Sequence, residues 1–334
     1  MRSFAALLAM CHTLAVCGVA AQWCPEPSGR LVTVASGVRL HVIDWGGAGP
    51  PLIFLSGILG SAYTFDDFAP LFTDRHRVIG ITRRGIAPSD QSASGYGWSV
   101  LTKDILAAMD SLEIPAAHIV GWSFGGNEAV MLAVSSPRRV SSLVLLDSYE
   151  TSPDARRLRA ADSLKSPSSP PFVSFDSLSP LALQWRHQRL GERPLPLSAL
   201  CAYGKFAKDG RYLGPVLAPP RLDSVTNAMR SGMPRLPYSA VRQAVLALFR
   251  MPRGVGDGFP AYATMSPTDR QLADAKIEAT MRDLSNARAW LRRQSPQAKV
   301  IEIPGAAHAI FRSHPEVVFR EMRTFLDRVP TGPR

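Results

Sequence analysis

The chain predicts an α/β fold, a mostly parallel eight-stranded sheet flanked by helices, and three observations carry that expectation. Short apolar runs bounded by turn residues alternate with helical patterns such as Ser99 to Leu112, as strands buried on both faces require. One of those runs, Ala117 to Val120, leads through Gly121-Trp122-Ser123-Phe124-Gly125 directly into a further helical pattern. Between Ser148 and Gly258 this rhythm dissolves into a stretch holding thirteen of the chain's twenty-eight prolines, and it resumes afterwards.

In order, the predicted strands are Arg30 to Val34, Arg39 to Trp45, Leu52 to Ser56, Arg77 to Thr82, Ala117 to Trp122, Val140 to Leu146, Phe259 to Met265 and Lys299 to Ile303. The segment Asn127 to Ser136 offers Ala129, Val130, Leu132, Ala133 and Val134 at helical spacing. A helix there would start immediately behind Ser123. In the proline-rich stretch, short helices are predicted at Leu178 to Arg189, Arg221 to Ser231 and Tyr238 to Phe249, with a flexible edge at Pro167 to Pro171.

The N-terminus reads as an address. Arg2 precedes an apolar run from Phe4 to Ala21, and Val19-Ala20-Ala21 supplies the small residues that a signal peptidase needs before Gln22. A cleavable signal peptide over residues 1–21, with export to the periplasm or medium, is the expectation. Of the four cysteines only Cys24 and Cys201 would remain, and in an oxidising compartment they could pair. Burial of Cys201 as a small apolar residue would explain it equally well. Some 310 residues then remain, enough for a single core with an insertion.

Composition restricts partners. The net charge of +11 is concentrated in residues 151–258, where sixteen Lys or Arg face seven Asp or Glu. Such a face could touch an anionic membrane surface weakly, although a solvated arginine-rich surface explains it too. The basic residues are scattered rather than interleaved with aromatics, and zinc-finger and RNA-recognition patterns are absent, so no nucleic-acid partner is expected. With no CxxC and no paired histidine spacing, neither a metal site nor a cofactor is expected. Oligomeric state is not encoded in any feature of the sequence.

Chemistry enters through Ser123. In a strand–turn–helix elbow the serine takes a strained backbone conformation, and its neighbours must be small enough for strand and helix to approach. Gly121, Gly125 and Gly126 satisfy that demand. Further on, Gly305-Ala306-Ala307-His308 follows a strand and places a histidine on a loop near the C-terminus. Two other strand ends carry turn sequences, Ser56-Gly57-Ile58 and Arg83-Arg84-Gly85-Ile86-Ala87-Pro88-Ser89.

Together these residues resemble the α/β-hydrolase superfamily, from about Val32 to Leu326. Ser56-Gly57 stands where members usually carry His-Gly, and Thr82-Arg83-Arg84-Gly85 where they carry Asp-Arg-x-Gly. The resemblance implies an α/β-hydrolase fold whose core spans 22–150 and 259–330, with a helical cap inserted after strand 6 at 151–258. It also implies a triad in which Ser123 is the nucleophile and His308 the general base. Backbone N–H groups of Phe124 and Ile58 would then form an oxyanion hole. His314, beside Pro315 at a helix start, and His41, within a strand, are poorer base candidates.

Two positions compete for the acid. Asp147 ends the sixth strand, whereas Asp269 follows the predicted seventh strand, the commoner placement in the family. Ser266-Pro267-Thr268-Asp269 also reads as a helix capping box, so Asp147 is preferred, with Glu150 a third choice. A serine nucleophile points to acyl transfer, and Trp122, Phe124, Ile58, Leu59 and Phe311 are candidate pocket walls for a small-molecule ester. A carboxylic ester hydrolase is the expected activity. The alternatives are a lyase or small-molecule receptor on the same fold, or an envelope-associated protein that binds through its basic insertion.

Overall fold

The computed structural model describes residues 24–149, 192–208, 211–216, 219–230 and 236–329. The signal-peptide segment 1–21, Glu150, Pro167 to Pro171 and the helix expected over Leu178 to Arg189 lie outside the described residues.

Eight strands form one sheet: β1 (Arg30–Ala35), β2 (Val38–Gly46), β3 (Pro51–Leu55), β4 (Arg77–Ile81), β5 (Ala117–Trp122), β6 (Val140–Leu146), β9 (Ala244–Met251) and β10 (Lys299–Pro304). Their spatial order is β1-β2-β4-β3-β5-β6-β9-β10. β2 runs antiparallel to both neighbours, and every pairing from β4 to β10 is parallel. The fold is therefore an α/β-hydrolase fold with a mostly parallel eight-stranded sheet. In β3 the residues Leu52 to Leu55 are all buried, because helices or short turns cover both sheet faces.

One face packs against α1 (Trp98–Ser111) and α2 (Phe124–Ser135), with Ile105, Met109, Val130 and Leu132 meeting Ile53, Ile119 and Leu143. The other face holds an aromatic layer of Phe54, Phe65, Phe68, Phe72 and Phe311, closed by Val318 and Met322 of the C-terminal helix Pro315–Leu326. Between β6 and β9, the described residues form α3 (Leu197–Tyr203), a hairpin of β7 (Gly204–Phe206) and β8 (Tyr212–Pro215), and α4 (Pro219–Arg230). Val225 and Met229 of α4 pack in one cluster with Phe124, Trp98 and Ile86. Leu195, Ala199 and Leu200 pack on Ala62 and Tyr63. Cys24 and Cys201 are joined by a disulfide across a sequence separation of 177.

The seventh strand corrects the sequence reading. Ala244 to Phe249, expected as the second half of a helix from Tyr238, instead belong to β9, paired with β6 through Ser142↔Ala244 to Leu146↔Leu248. Val245, Leu246, Ala247, Leu248 and Phe249 are all buried to 1% exposure or less. A strand covered on both faces loses its period of two, so such a run reads equally as a buried helix. Phe259 to Met265 is correspondingly not a strand; its described form is a turn with a 3₁₀ segment at Tyr262–Thr264. Residues 244–258, assigned to the insertion on sequence, thus belong to the sheet and to the loop that follows it. A 28-residue helix, Pro267–Gln294, comes next and starts at the capping box read at Ser266 to Asp269.

Candidate active site

The parallel strands end on one edge of the sheet, and three of those ends converge. Ser123 terminates β5 with φ 53° and ψ −121°, and α2 starts at the next residue. Close approach forces the glycines around it. A Cβ on Gly121 would lie 2.4 Å from the Gly125 carbonyl oxygen, and one on Gly125 would lie 2.2 Å from that of Leu55. With side chains there the helix could not start against the ends of β5 and β3.

Asp147 follows β6, also at positive φ (45°), and its N–H donates to the Leu248 carbonyl at 2.8 Å. Its carboxylate is fully buried. Oδ1 accepts the Arg250 backbone N–H at 3.1 Å, and Oδ2 lies 2.6 Å from His308 Nδ1. His308 Nε2 in turn lies 3.0 Å from Ser123 Oγ. The structure therefore brings Ser123, His308 and Asp147 into one hydrogen-bonded line drawn from the ends of β5, β10 and β6.

The histidine loop is pinned from several sides. Gly305 N–H donates to the Met251 carbonyl at 2.9 Å, and Ala307 N–H to Ser313 Oγ at 3.1 Å. Trp122 Nε1 donates to the His308 carbonyl at 2.9 Å, while Ala309 N–H reaches Glu192 Oε1 at 3.3 Å. Trp122 thus holds the loop as well as bordering the serine.

Asp269 is not part of this line. It lies in the first turn of the helix Pro267–Gln294, where its N–H donates to Ser266 Oγ at 3.2 Å and Oδ2 accepts that hydroxyl at 2.9 Å. The capping box accounts for it, and its placement after the seventh strand fell when that strand proved to be β9. The acid that does follow β9 is Asp257, gripped by Arg253 through its N–H at 2.7 Å and its guanidinium at 3.0 Å. That hydrogen-bonded guanidinium holds Asp257 below the usual carboxylate range.

The remaining candidates separate by burial. Phe124 contributes the first N–H of α2, one of the donors a helix leaves without an intrahelical acceptor. Ile58 lies in the turn after β3, closed by Gly60 N–H to the Gly57 carbonyl at 2.9 Å. Leu59 is exposed and Trp122 half-buried, so both can face a ligand. Phe311 is 1% exposed and packs on Phe65, Phe68 and Trp122, which places it in the core behind Trp122 rather than on a pocket wall. His41 is buried between Ser28 and Thr82, and His314 bonds Ser313 at the start of the last helix; neither joins the line.

Sequence reasoning missed Arg250. Its Nε makes an ion-pair contact with Asp147 Oδ2 at 3.1 Å, though not in hydrogen-bond alignment, and Nη2 donates to Tyr149 Oη at 3.2 Å. Reading Tyr238 to Phe249 as a helix hid it, because Arg250 then falls just past a helix end, whereas β9 in register with β6 sets it beside Asp147.

A sheet of this order, with its serine on a strand–helix elbow, defines the α/β-hydrolase fold. The family model described as alpha/beta hydrolase fold matches residues 50–202. The 2-(acetamidomethylene)succinate hydrolase of Mesorhizobium japonicum is 24% identical over 84% of this chain and 89% of its own length. A crystal structure of E-2-(acetamidomethylene)succinate hydrolase superposes with a TM-score of 0.65 at 22% identity, covering 90% of this chain and 98% of that one. The non-heme chloroperoxidase of Streptomyces lividans is 31% identical over 40% of this chain and 52% of its own. The chain spans about half the length of most curated relatives it matches. Over residues 50–202 it is similar to the α/β-hydrolase family, whose fold it shares.

Proposed function

We propose that the protein is an exported serine hydrolase that cleaves a small carboxylic ester through an acyl-enzyme intermediate. One observation carries this reading: the unbroken line from Ser123 Oγ through His308 to the buried Asp147, at 3.0 Å and 2.6 Å. In it His308 Nε2 takes the serine proton as Oγ attacks the ester carbonyl, and Asp147 fixes the tautomer that leaves Nε2 free to accept. The tetrahedral oxyanion is held by the N–H groups of Phe124 and Ile58. Collapse breaks the C–O bond, and His308 returns its proton to the departing alkoxide. Water, deprotonated by the same imidazole, then releases the acid.

Two further observations support parts of the reading. A related protein of nearly the full length carries a hydrolase name, which favours hydrolysis over a receptor role. The Cys24–Cys201 disulfide suits an oxidising compartment, in line with the apolar leader before Gln22. The test is exposure of the purified protein to a small fluorophosphonate, followed by adduct mapping by mass spectrometry. The expected adduct sits on Ser123 and is absent from Ser123→Ala, and the wild type hydrolyses short acyl esters. Folded protein without an adduct or ester turnover would overturn the proposal.

A further inference from the structure

Arg83 is buried beneath the site, 7% exposed, and pairs with Glu128 of α2, 2% exposed. Its Nε donates to Glu128 Oε1 at 3.0 Å and its Nη2 to Oε2 at 2.6 Å. The remaining N–H groups go to three successive carbonyls of the turn after β3: Nη2 to Ser56 at 2.6 Å, and Nη1 to Gly57 at 2.6 Å and Ile58 at 3.2 Å. A guanidinium has five N–H donors, so all five are used. The guanidinium carbon also lies 4.9 Å from the centre of the Phe124 ring.

This arrangement fixes which way the turn's peptides face. In a trans peptide, the carbonyl of one residue and the N–H of the next point in opposite directions. Drawing the carbonyls of Ser56, Gly57 and Ile58 onto Arg83 therefore aims the N–H groups of Gly57, Ile58 and Leu59 away from it. A flipped Gly57–Ile58 peptide would withdraw the Ile58 donor and present a carbonyl oxygen in its place. Glu128 lies on the helix whose first N–H is that of Phe124, so the ion pair ties one donor's turn to the other donor's helix. Contact between the two is already tight, since a Cβ on Gly125 would lie 2.7 Å from the Ser56 carbonyl oxygen.

We infer that Arg83 and Glu128 are positioning residues that preorganise the oxyanion hole by locking the 56–58 peptides against the first turn of α2. The inference rests on the acyl-transfer reading above. Stability alone is a poor reason for the pair, because apolar residues of similar volume commonly replace a buried ion pair without loss. A fork that meets one carboxylate and three carbonyls is a geometric device that a lysine cannot reproduce.

The experiment compares wild type, Arg83→Lys and the double variant Arg83→Met/Glu128→Leu, which leaves no uncompensated buried charge. Circular dichroism and thermal melting first establish that each is folded. Ester turnover is then measured beside inhibition by a trifluoromethyl ketone, whose serine adduct carries an oxyanion, and by a ground-state ester isostere. Loss of one oxyanion donor costs about 10² to 10³ in kcat. The double variant is expected to lose that much with KM little changed, and its ketone affinity should fall in parallel while the isostere binds as before. Arg83→Lys should fall at least about tenfold, on the same grounds. A folded double variant or Arg83→Lys protein with wild-type kcat and ketone affinity would overturn the inference. A loss of turnover in which both inhibitors weaken equally would overturn it too. If the wild type itself neither labels nor turns over esters, the acyl-transfer reading fails and takes this inference with it.

Discussion

Replacement of Asp147 by Asn should nearly abolish activity while leaving the fold in place, and the structure dictates why. Asn has the volume of Asp, but one of its two terminal atoms becomes an N–H donor. Oδ1 accepts the Arg250 backbone N–H at 3.1 Å, so the remaining oxygen is held at that position. The new amide nitrogen then faces His308 Nδ1, which stands 2.6 Å from Oδ2 in the native protein. It can only donate there, so Nδ1 becomes the acceptor and Nε2 carries the proton. An imidazole in that tautomer cannot take the proton of Ser123. The corresponding change in serine proteases lowers kcat by about 10⁴, or about 5.5 kcal/mol at roughly 1.36 kcal/mol per decade. Arg250 also loses its charged partner, which should cost about 3 kcal/mol of stability, the lower end for breaking a buried pair. The assay is kcat/KM on whichever ester the wild type turns over, with thermal melting to count folded molecules. Asp269→Asn is the control, expected to retain full turnover because Asp269 lies outside the triad and Ser266 still caps the helix through the residue 269 backbone N–H. An Asp147→Asn enzyme within tenfold of wild type would refute the reasoning, as would a large loss in Asp269→Asn.

Other outcomes follow from groups away from the reacting atoms. Burial, reinforced by repulsion from His76, pushes His118 from 6.5 down to about 4, with its Nδ1 on Ser142 Oγ at 2.8 Å. Below about pH 6.5 the unfolded chain binds a proton that the folded chain refuses until about pH 4, so stability is full above that window and falls through it. The loss should approach about 3 kcal/mol, at roughly 1.36 kcal/mol per pKa unit. Urea midpoints between pH 7.5 and 4.5 check this, and His118→Asn should flatten the profile; an unchanged slope would count against it. Cys24→Ser/Cys201→Ser should lower stability by about 2 to 5 kcal/mol, since the bridge closes most of the chain into a loop. Chemical denaturation with and without reductant would show it, and identical midpoints would dismiss the bridge.

What was legible in the sequence is what local chemistry determines. Gly121, Ser123 and Gly125 announce the elbow because no larger residue fits those contacts, and His308 stands out by following a strand on a glycine turn. β9 was illegible for the opposite reason: a run from Ala244 to Phe249 buried on both faces carries no alternation to betray a strand. That single misreading moved the seventh strand to Phe259–Met265, brought Asp269 into contention and concealed Arg250. Phe311 looked like a pocket residue because chain proximity to His308 says nothing about which way a ring points; the aromatic layer of Phe65 and Phe68 draws it inward. Arg83 was visible as part of a turn sequence, but its five acceptors come from two separate segments and appear only in three dimensions.

The location of the acid has a consequence for how the site is held. β5 and β6 are adjacent, paired from Ala117↔Val140 to Trp122↔Leu146, and Ser123 N–H donates to the Leu146 carbonyl at 3.0 Å. One residue further, Ser148 Oγ donates to Asn127 Oδ1 at 2.9 Å, stitching the loop after β6 to the elbow helix. Nucleophile and acid thus sit on neighbouring strand ends of one rigid unit. Among the described residues, only Glu113, Ser123 and Asp147 combine a side chain with positive φ. Such conformations cost on the order of 1 to 3 kcal/mol each and persist only where the surroundings over-determine them. Two of the three fall at the ends of these neighbouring strands. His308 arrives separately on the loop after β10, held by the Trp122 hydrogen bond and the contacts around Gly305 and Ala307. With the serine and the acid fixed by strained backbone, alignment of the triad reduces to the placement of that one loop.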